Sequence, residues 1–215
     1  MNAEKIFSFE DKGHHLTVKI PEVVHPQYGM FTWPSAPVLA QYVWTNRAQI
    51  QGATVIELGA GTALPGIVAA LCGGQVILTD KEDYPECLEN CKKSCYANSL
   101  TSVDVVGITW GEFSPNVLKL PKADVILGSD CFYDPKDFDD VLATVSFLLD
   151  KNPSAKFWTT YQERSSNWSI KNLLSKWGLK CVQIPLESFD ADDEFVGGSS
   201  MSSKHTIQML EINKE

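Results

Sequence analysis

The sequence predicts an α/β fold in which a Rossmann-like, doubly wound and mostly parallel sheet of seven strands carries helices on both faces. Three observations predict it. Short apolar segments alternate with helical segments through most of the chain, and a glycine-rich turn follows the first of those strands. The last two apolar segments, 180–187 and 204–212, are separated only by a polar loop, too short for a good crossover helix. We therefore expect an antiparallel strand at the C-terminal end of the sheet.

The element boundaries follow from apolar periodicity and from glycine and proline positions. Before the sheet, strands at 5–10 and 15–22 turn at 11–13, and a helix covers 34–49. The other five sheet strands are expected at 54–58, 75–80, 103–108, 123–130 and 155–161, with helices at 65–72, 84–98, 136–150 and 168–177. We expect residues 1–30 to form an N-terminal strand pair or extension and residues 31–215 to form one domain.

Composition limits the possible functions. The chain has 215 residues, 44% of them apolar and 21% charged, which is typical of a globular protein. Its net charge of −9 disfavours direct binding of nucleic acid and favours a cationic partner. The charged N-terminus lacks the apolar core of a signal peptide, and no apolar run is long enough to cross a membrane. We expect a protein of the nucleus and cytoplasm that does not bind membranes.

No metal site is expected. Cys87, Cys91 and Cys95 share one face of a helix, but their C-x3-C-x3-C spacing does not match the usual zinc or iron–sulfur patterns. The aspartates of 130–140 lack the spacing of a calcium-binding EF-hand loop. Asp137, Asp139 and Asp140 instead favour the first turn of the next helix, where negative charge meets the positive end of the helix dipole.

The glycine-rich turn, VIELGAGTALPG at 55–66, predicts a cofactor site at the carboxyl edge of the sheet. Gly59 and Gly61 allow a tight turn, and Asp80, at the tip of the next strand, is placed to accept hydrogen bonds from ribose hydroxyls. The G-x-G-x4-G spacing differs from the dinucleotide fingerprint, and Glu57 would repel a diphosphate but attract a cation. S-adenosylmethionine has a ribose, no phosphate and a cationic amino acid tail, and it is the expected cofactor, leaving S-adenosylhomocysteine as product.

The segment LGSDCFYDPKDFDD at 127–140 predicts the reacting end of the site. If the acceptor of the methyl group is a lysine, its nitrogen must be neutral, which costs about 4 to 5 kcal/mol at pH 7. A carboxylate with rings beside it can hold and orient that nitrogen. An arginine stays charged, and a facing carboxylate must localise that charge. Asp130 with Asp134 suits a guanidinium, whereas Asp130 with Tyr133 suits an ammonium, and Phe132 adds a second ring. Chemistry alone leaves both acceptors open.

These motifs together resemble a known family. E-L-G-A-G-x-x-L-P-G from 57, Asp80, Thr109-Trp110-Gly111 and Asp130-x-x-Tyr133 occur in the order found in seven-strand S-adenosylmethionine-dependent methyltransferases of the methyltransferase-like, D-x-x-Y type. FTWPSAPVLAQY at 31–42, TWGEF at 109–113, TTYQERS at 159–165 and VQIPLESFDAD at 182–192 extend the likeness from about residue 28 to the end. They resemble most a branch that methylates arginine of histone H3, while other members modify lysine.

The resemblance implies roles for individual residues. The methionine part of the cofactor would lie against Glu57, Gly59 and Gly61, its ribose against Asp80 and its adenine against Trp110. Ala60 and Ser129 would line the same ligand. Trp33 would lie near the cofactor and the substrate entrance. Arg164, just after the fifth strand of the sheet, is expected either to pair with an acid at the rim or to remain exposed.

The leading hypothesis is an S-adenosylmethionine-dependent protein N-methyltransferase that acts on a basic protein, by resemblance a histone tail, in chromatin regulation. A lysine methyltransferase of a non-histone protein such as a chaperone is the first alternative. A cofactor-binding interaction module without turnover is an alternative of another class, and a small-molecule methyltransferase is a weaker one. Chaperones and transcription factors are the further partners considered.

Overall fold

The computed structural model describes residues 2–23, 30–162, 164–165, 170–201 and 206–215. Its centre is a seven-stranded sheet in the spatial order β5-β4-β3-β6-β7-β11-β8. The strands are β3 (Thr54–Leu58), β4 (Gln75–Asp80), β5 (Asp104–Gly107), β6 (Val125–Ser129), β7 (Lys156–Gln162), β8 (Leu179–Ile184) and β11 (Ile207–Lys214). Strand β11 lies antiparallel between β7 and β8, and the pairs among β3 to β7 are parallel. The predicted fold class is confirmed.

Helices cover both faces of this sheet. They are α1 (Ser35–Thr45), α2 (Arg47–Ile50), α3 (Leu64–Leu71), α4 (Pro85–Ala97), α5 (Pro115–Lys119), α6 (Phe138–Lys151) and α7 (Lys171–Lys176). One apolar core holds α1 and α3 against the sheet, and a second holds α6 on the opposite face. Among these residues no helix is long and apolar enough to cross a membrane. The predicted beginnings of the helix at 168 and of the last strand at 204 lie outside the described residues.

The N-terminal strands β1 (Asn2–Asp11) and β2 (His14–Val23) form the predicted hairpin, separate from the main sheet. Phe7, Phe9, Val18 and Ile20 are fully buried in the same core as α1 and α3. A short second hairpin, β9 (Phe195–Val196) with β10 (Ser199–Ser200), lies beside it, and the Ser8 N–H donates to the Gly197 carbonyl at 3.1 Å. The first hairpin therefore packs as part of the domain core.

Two predicted elements were too long, and two elements were not predicted. The helix predicted over 34–49 breaks at Asn46, where a ψ of +20° departs from helical geometry and the side-chain amide donates to the Tyr42 carbonyl beside the residue's own N–H. The strand predicted over 180–187 ends at Ile184, because Pro185 lacks an N–H and a 3₁₀ turn, Leu186–Phe189, follows. The short helix α5 and the hairpin of β9 and β10 carry too little periodic pattern to be predicted.

Chain order places the functional edge. From β3 the chain proceeds to β4 and β5 on one side, then crosses to β6 and β7 on the other, so the order reverses between β3 and β6. The loops that follow the carboxyl ends of β3 and β6 diverge there and leave a crevice. The glycine-rich turn follows β3, and the Asp130 segment follows β6, so both lie at this crevice.

Candidate active site

A cavity of about 1030 Å³ opens at this edge of the sheet. Its walls come from the segment before α1, from the turn after β3 and from the residues that follow β4, β5, β6 and β7. The lining residues that the sequence analysis placed at the site or its rim are Trp33, Gly59, Ala60, Gly61, Asp80, Trp110, Ser129, Asp130, Tyr133, Asp134 and Arg164. Sequence positions more than a hundred residues apart thus converge on one crevice.

The turn after β3 is held in a conformation that favours glycine. Gly59 and Gly61 have φ angles of +58° and +55°. A Cβ on Gly59 would lie 2.8 Å from Cζ2 of Trp110, so the indole packs directly over the turn. The Ala60 N–H donates to the Thr79 carbonyl at 2.9 Å, which ties the turn to the end of β4. The turn and the indole form one wall of the cavity.

Asp80 connects this wall to the next one. Its Oδ2 accepts from the Gly61 N–H and its Oδ1 from the Lys81 N–H, both at 2.7 Å. Burial raises the pKa of Asp80, and the two backbone hydrogen bonds oppose that shift. A carboxylate has about four acceptor positions, so two remain for a ligand in the cavity.

These residues fit S-adenosylmethionine. The bare glycine turn allows close approach, and Asp80 offers acceptors suited to ribose hydroxyls. Ile108 and Trp110 supply apolar surface for a base, and Cys87 lines the same cavity. The cations in this wall are few: Lys81 lies over the Tyr84 ring at 5.1 Å, and Arg164 pairs with an acid. The donor set therefore suits a ribose and a cationic tail better than a diphosphate.

Glu57 does not line the cavity. Side chains alternate along β3, so Glu57 shares with Val55 the face that packs under α3, while Ile56 and Leu58 face α6. Its Oε2 accepts from the Gly66 N–H at 3.0 Å, and its Oε1 has no hydrogen-bond partner. The structure therefore places Glu57 as a buried support at the start of α3, behind the glycine turn.

Glu57 should give the fold a measurable pH dependence. Burial raises its pKa from 4.5 to about 8, opposed by the Gly66 hydrogen bond and reinforced by Asp80. Between those pH values the unfolded state binds fewer protons, so stability falls as pH rises from 4.5 to about 8 and then levels off. Glu57→Gln removes the charge without changing the size. We expect the melting temperature without cofactor to fall by roughly 10 °C more in wild type than in this variant across that range. Parallel melting curves would contradict the assignment.

Asp130 is positioned by backbone geometry at the end of β6. Its N–H donates to the Thr160 carbonyl at 2.8 Å, the last rung between β6 and β7, and its φ of +57° then turns the chain away from the sheet. Aspartate tolerates this left-handed conformation better than most residues. The turn sends the carboxylate into the cavity wall, where the residue is 8% exposed.

Arg164 binds this carboxylate through two hydrogen bonds. Nη1 donates to Oδ1 at 2.9 Å and Nη2 donates to Oδ2 at 2.6 Å, the fork geometry of a guanidinium on a carboxylate. The hydrogen bonds that Arg164 donates to Asp130 raise the pKa of Arg164 above its ordinary value. Of the two outcomes considered for Arg164, pairing with an acid is the one the structure shows.

Aromatic and acidic side chains surround the mouth of the cavity. The rings of Phe31, Trp33, Tyr84 and Tyr133 line it and are between 38% and 48% exposed. Phe31 and Trp33 meet edge to face, with ring centroids 5.7 Å apart. Burial and neighbouring acids raise the pKa of Tyr133 to about 12, so its hydroxyl keeps its proton at neutral pH. The mouth combines aromatic faces with hydrogen-bond groups.

Phe132 lies apart from this group. It is fully buried against Phe138 of α6 and Tyr161 of β7, with centroid separations of 5.4 and 6.2 Å. It does not line the cavity, because the left-handed turn at Asp130 directs the next ring into the α6 core. Phe132 therefore supports the turn from below, and Tyr133 is the ring of this segment that faces the mouth.

Several lining residues had not been assigned to the site. Asp137 and Asp140 were expected at the start of a helix, and α6 does begin at Phe138, yet both also line the cavity beside Asp134. Burial raises the pKa of Asp137, and the neighbouring charges of Asp134 and Asp140 raise it further. Lys81 and Tyr84 also line the cavity. They follow the carboxyl end of β4, and that position after a parallel strand was the sequence signal that could have placed them at the site. Among the described residues no group of three or more His, Cys, Asp or Glu could hold a metal ion.

Comparison with known proteins shows which family this chain belongs to. The family model described as lysine methyltransferase matches residues 12–174. The chain belongs to this family of S-adenosylmethionine-dependent methyltransferases. The resemblance and the cofactor inferred from the sequence are thereby confirmed.

Sequence similarity to named relatives extends over most of this chain. Histone-arginine methyltransferase METTL23 of Xenopus laevis is 53% identical over 213 residues, 97% of this chain and 91% of that protein. The protein of the same name from Homo sapiens is 52% identical over 184 residues, 86% of this chain and 97% of that protein. The crystal structure of a SAM-dependent methyltransferase from Agrobacterium tumefaciens has a TM-score of 0.64 at 14% identity, covering 92% of this chain and 67% of that one. The structural likeness concerns the fold alone.

Proposed function

We propose that this protein methyltransferase transfers a methyl group to arginine of a histone or a similar basic protein. One observation carries the proposal: the mouth of the cofactor cavity combines the carboxylates of Asp130, Asp134 and Asp137 with the exposed rings of Trp33 and Tyr133. Carboxylates hold a cationic side chain, and aromatic faces attract it and cover its aliphatic stem. Relatives named histone-arginine methyltransferase, 52–53% identical to this chain, support arginine as the acceptor.

The charge of the site favours a cationic substrate. Five carboxylates line the cavity, from Asp80, Asp130, Asp134, Asp137 and Asp140, against the two cations of Lys81 and Arg164. The molecule as a whole carries a net charge of −9. Both the local and the overall field attract a basic tail and accelerate its encounter with the site.

The reaction requires a positioned nitrogen more than a strong base. S-adenosylmethionine supplies an electrophilic methyl group on a positively charged sulfur. Asp130 and Asp134 orient the guanidinium and localise its charge on one side, so that the opposite nitrogen has electron density to share. The guanidinium gives up one proton overall, and one of the two carboxylates that hold the guanidinium is the acceptor. The rings of Trp33 and Tyr133 exclude water from the acceptor side chain.

Methyl transfer with isotope-labelled cofactor tests the acceptor directly. Recombinant histones and a proteome extract are incubated with the protein, and mass spectrometry locates the label. We expect methylated arginine in a histone, and no label with a variant that cannot bind cofactor. Label confined to lysine would reject the proposal and favour the second candidate, a lysine methyltransferase of a non-histone protein such as a chaperone. The family description, lysine methyltransferase, supports that candidate.

The proposal extends to location and regulation. A histone substrate requires that part of the protein enter the nucleus, and a chaperone or transcription-factor partner is compatible with a cytoplasmic pool. Fluorescence imaging of the tagged protein should show signal in both compartments. Strict exclusion from the nucleus would oppose a role in chromatin regulation.

A further inference from the structure

We propose that Arg164 is an internal occupant of the substrate's guanidinium site, which the substrate arginine must displace from Asp130. This inference rests on the proposed function, because it gives Asp130 to the acceptor side chain. The chain has only two arginines, Arg47 and Arg164, against sixteen lysines. The cation found on the acid of the D-x-x-Y motif is nevertheless an arginine, bound in the geometry that an arginine substrate would adopt.

The pair occupies the face of the Asp130 carboxylate that accepts two parallel hydrogen bonds. Both oxygens of Asp130 are bound by Arg164, and only 9% of the Asp130 side chain is exposed to solvent. A substrate guanidinium can form two parallel bonds with this carboxylate only after Arg164 leaves. As long as Arg164 remains, its positive charge also repels an arriving cation.

Arg164 is placed so that it can leave. Its side chain is 30% exposed, and it also donates a long hydrogen bond of 3.4 Å to the Gln162 carbonyl at the end of β7. A guanidinium that already touches solvent regains hydration when it turns outward. Displacement therefore exchanges one charge-assisted pair for another of the same geometry, while the internal cation returns to water.

The exchange would select arginine over lysine. A guanidinium can replace both bonds that Asp130 loses, because its donors form a planar fork. An ammonium is a point charge and cannot restore two parallel bonds of that geometry. A lysine side chain therefore regains less of the interaction that it disrupts. The preference would come from Asp130, and Arg164 would set the affinity with which any cation competes for it, without itself taking part in the chemistry.

Binding of small cations tests this without any turnover. We would titrate methylguanidinium and methylammonium into the protein saturated with S-adenosylhomocysteine, using NMR shifts at the cavity. In Arg164→Ala we expect methylguanidinium to bind roughly tenfold more tightly than in wild type. This is the gain expected if Arg164 occupies Asp130 in about nine molecules of ten and that competition is removed. Methylammonium should gain by a similar factor, because it must displace the same competitor, and it should remain the weaker ligand in both proteins. Equal affinity of methylguanidinium in wild type and variant would overturn the proposal.

A matched control is provided by the other arginine. Arg47 pairs with Asp11 at 2.6 Å, the same distance as the Arg164 pair, but joins α2 to the N-terminal hairpin away from the cavity. Arg47→Ala should leave methylguanidinium binding as in wild type. If Arg164→Ala unfolds, Arg164→Lys serves instead, because it keeps a cation but loses the two parallel hydrogen bonds to Asp130. It should give a smaller gain in methylguanidinium affinity. No gain in a folded Arg164→Lys would then overturn the proposal.

Kinetics separate displacement from a purely positioning role. For a basic peptide with an arginine acceptor, Arg164→Gln should lower KM, and it should lower KM by a similar factor for the same peptide with a lysine acceptor. A residue that only positions Asp130 would instead lower kcat and leave KM unchanged, and that result would contradict the proposal. If wild type methylates only lysine, the proposed function fails, while the methylguanidinium titration still decides whether Arg164 occupies a guanidinium site.

Discussion

Replacing Asp130 by asparagine is expected to reduce methyl transfer to arginine by roughly a hundredfold or more without unfolding the protein. Loss of one partner in a desolvated, hydrogen-bonded charge pair costs about 2–5 kcal/mol, and each 1.36 kcal/mol is a factor of about ten in rate. The fold should persist because asparagine also tolerates the left-handed φ of +57° at this position. Initial rates with labelled cofactor, together with thermal melting, measure both effects.

Asp139 provides the control for this variant. It lies in the first turn of α6, where it accepts from Lys176 at 2.6 Å and from Trp177 at 2.8 Å, outside the cavity. Asp139→Asn makes the same chemical change to another paired aspartate, and transfer should remain near the wild-type rate. Binding of S-adenosylhomocysteine should be retained in both variants. A rate within threefold of wild type for Asp130→Asn would show that another acid holds the acceptor.

Asp80→Asn should weaken cofactor binding about a hundredfold. Hydrogen bonds to charged groups contribute about 1.5–3 kcal/mol each, and Asp80 makes one to Gly61 and one to Lys81 besides those expected with ribose. An asparagine places an N–H₂ where one of those backbone N–H groups now donates, so two donors face each other. The turn that carries Gly61 would lose its connection to the tip of β4.

Calorimetry with S-adenosylmethionine and S-adenosylhomocysteine measures this effect. Asp83→Asn is the control, because Asp83 is exposed in the same loop and is not among the residues that line the cavity. We expect wild-type affinity for the control and a large loss for Asp80→Asn with both ligands. Equal affinities would mean that Asp80 only shapes the turn, and that the ribose is held by another group.

The two variants test opposite ends of one cavity. Asp80 is fixed by backbone N–H groups, so its charge is directed toward a ligand that stays in the site through the reaction. Asp130 is fixed by a side chain, Arg164, that can turn away. A permanent partner suits a cofactor pocket, and an exchangeable partner suits a site that a substrate must enter and leave.

Much of the site could be predicted because parallel strands end at one edge. Gly59, Asp80, Trp110 and Asp130 each follow a different strand, and in a doubly wound sheet those positions must converge. Glu57 and Phe132 were assigned to the site by motif, but the structure places both behind it. The direction of a side chain next to a tight turn depends on the packing of the neighbouring helix, here α3 and α6, which a motif does not describe.

The sequence by itself determined the fold class, the glycine turn, the cofactor class and the acid-and-ring segment after β6. These features follow from local rules: apolar periodicity, the conformations open to glycine, and the chemistry of residues at strand ends. Tertiary structure alone decided that Arg164 meets Asp130 across 34 positions, and that Asp137 and Asp140 face the cavity from a helix start. Such pairings depend on which side chains approach through space, and spacing along the chain does not encode those distances.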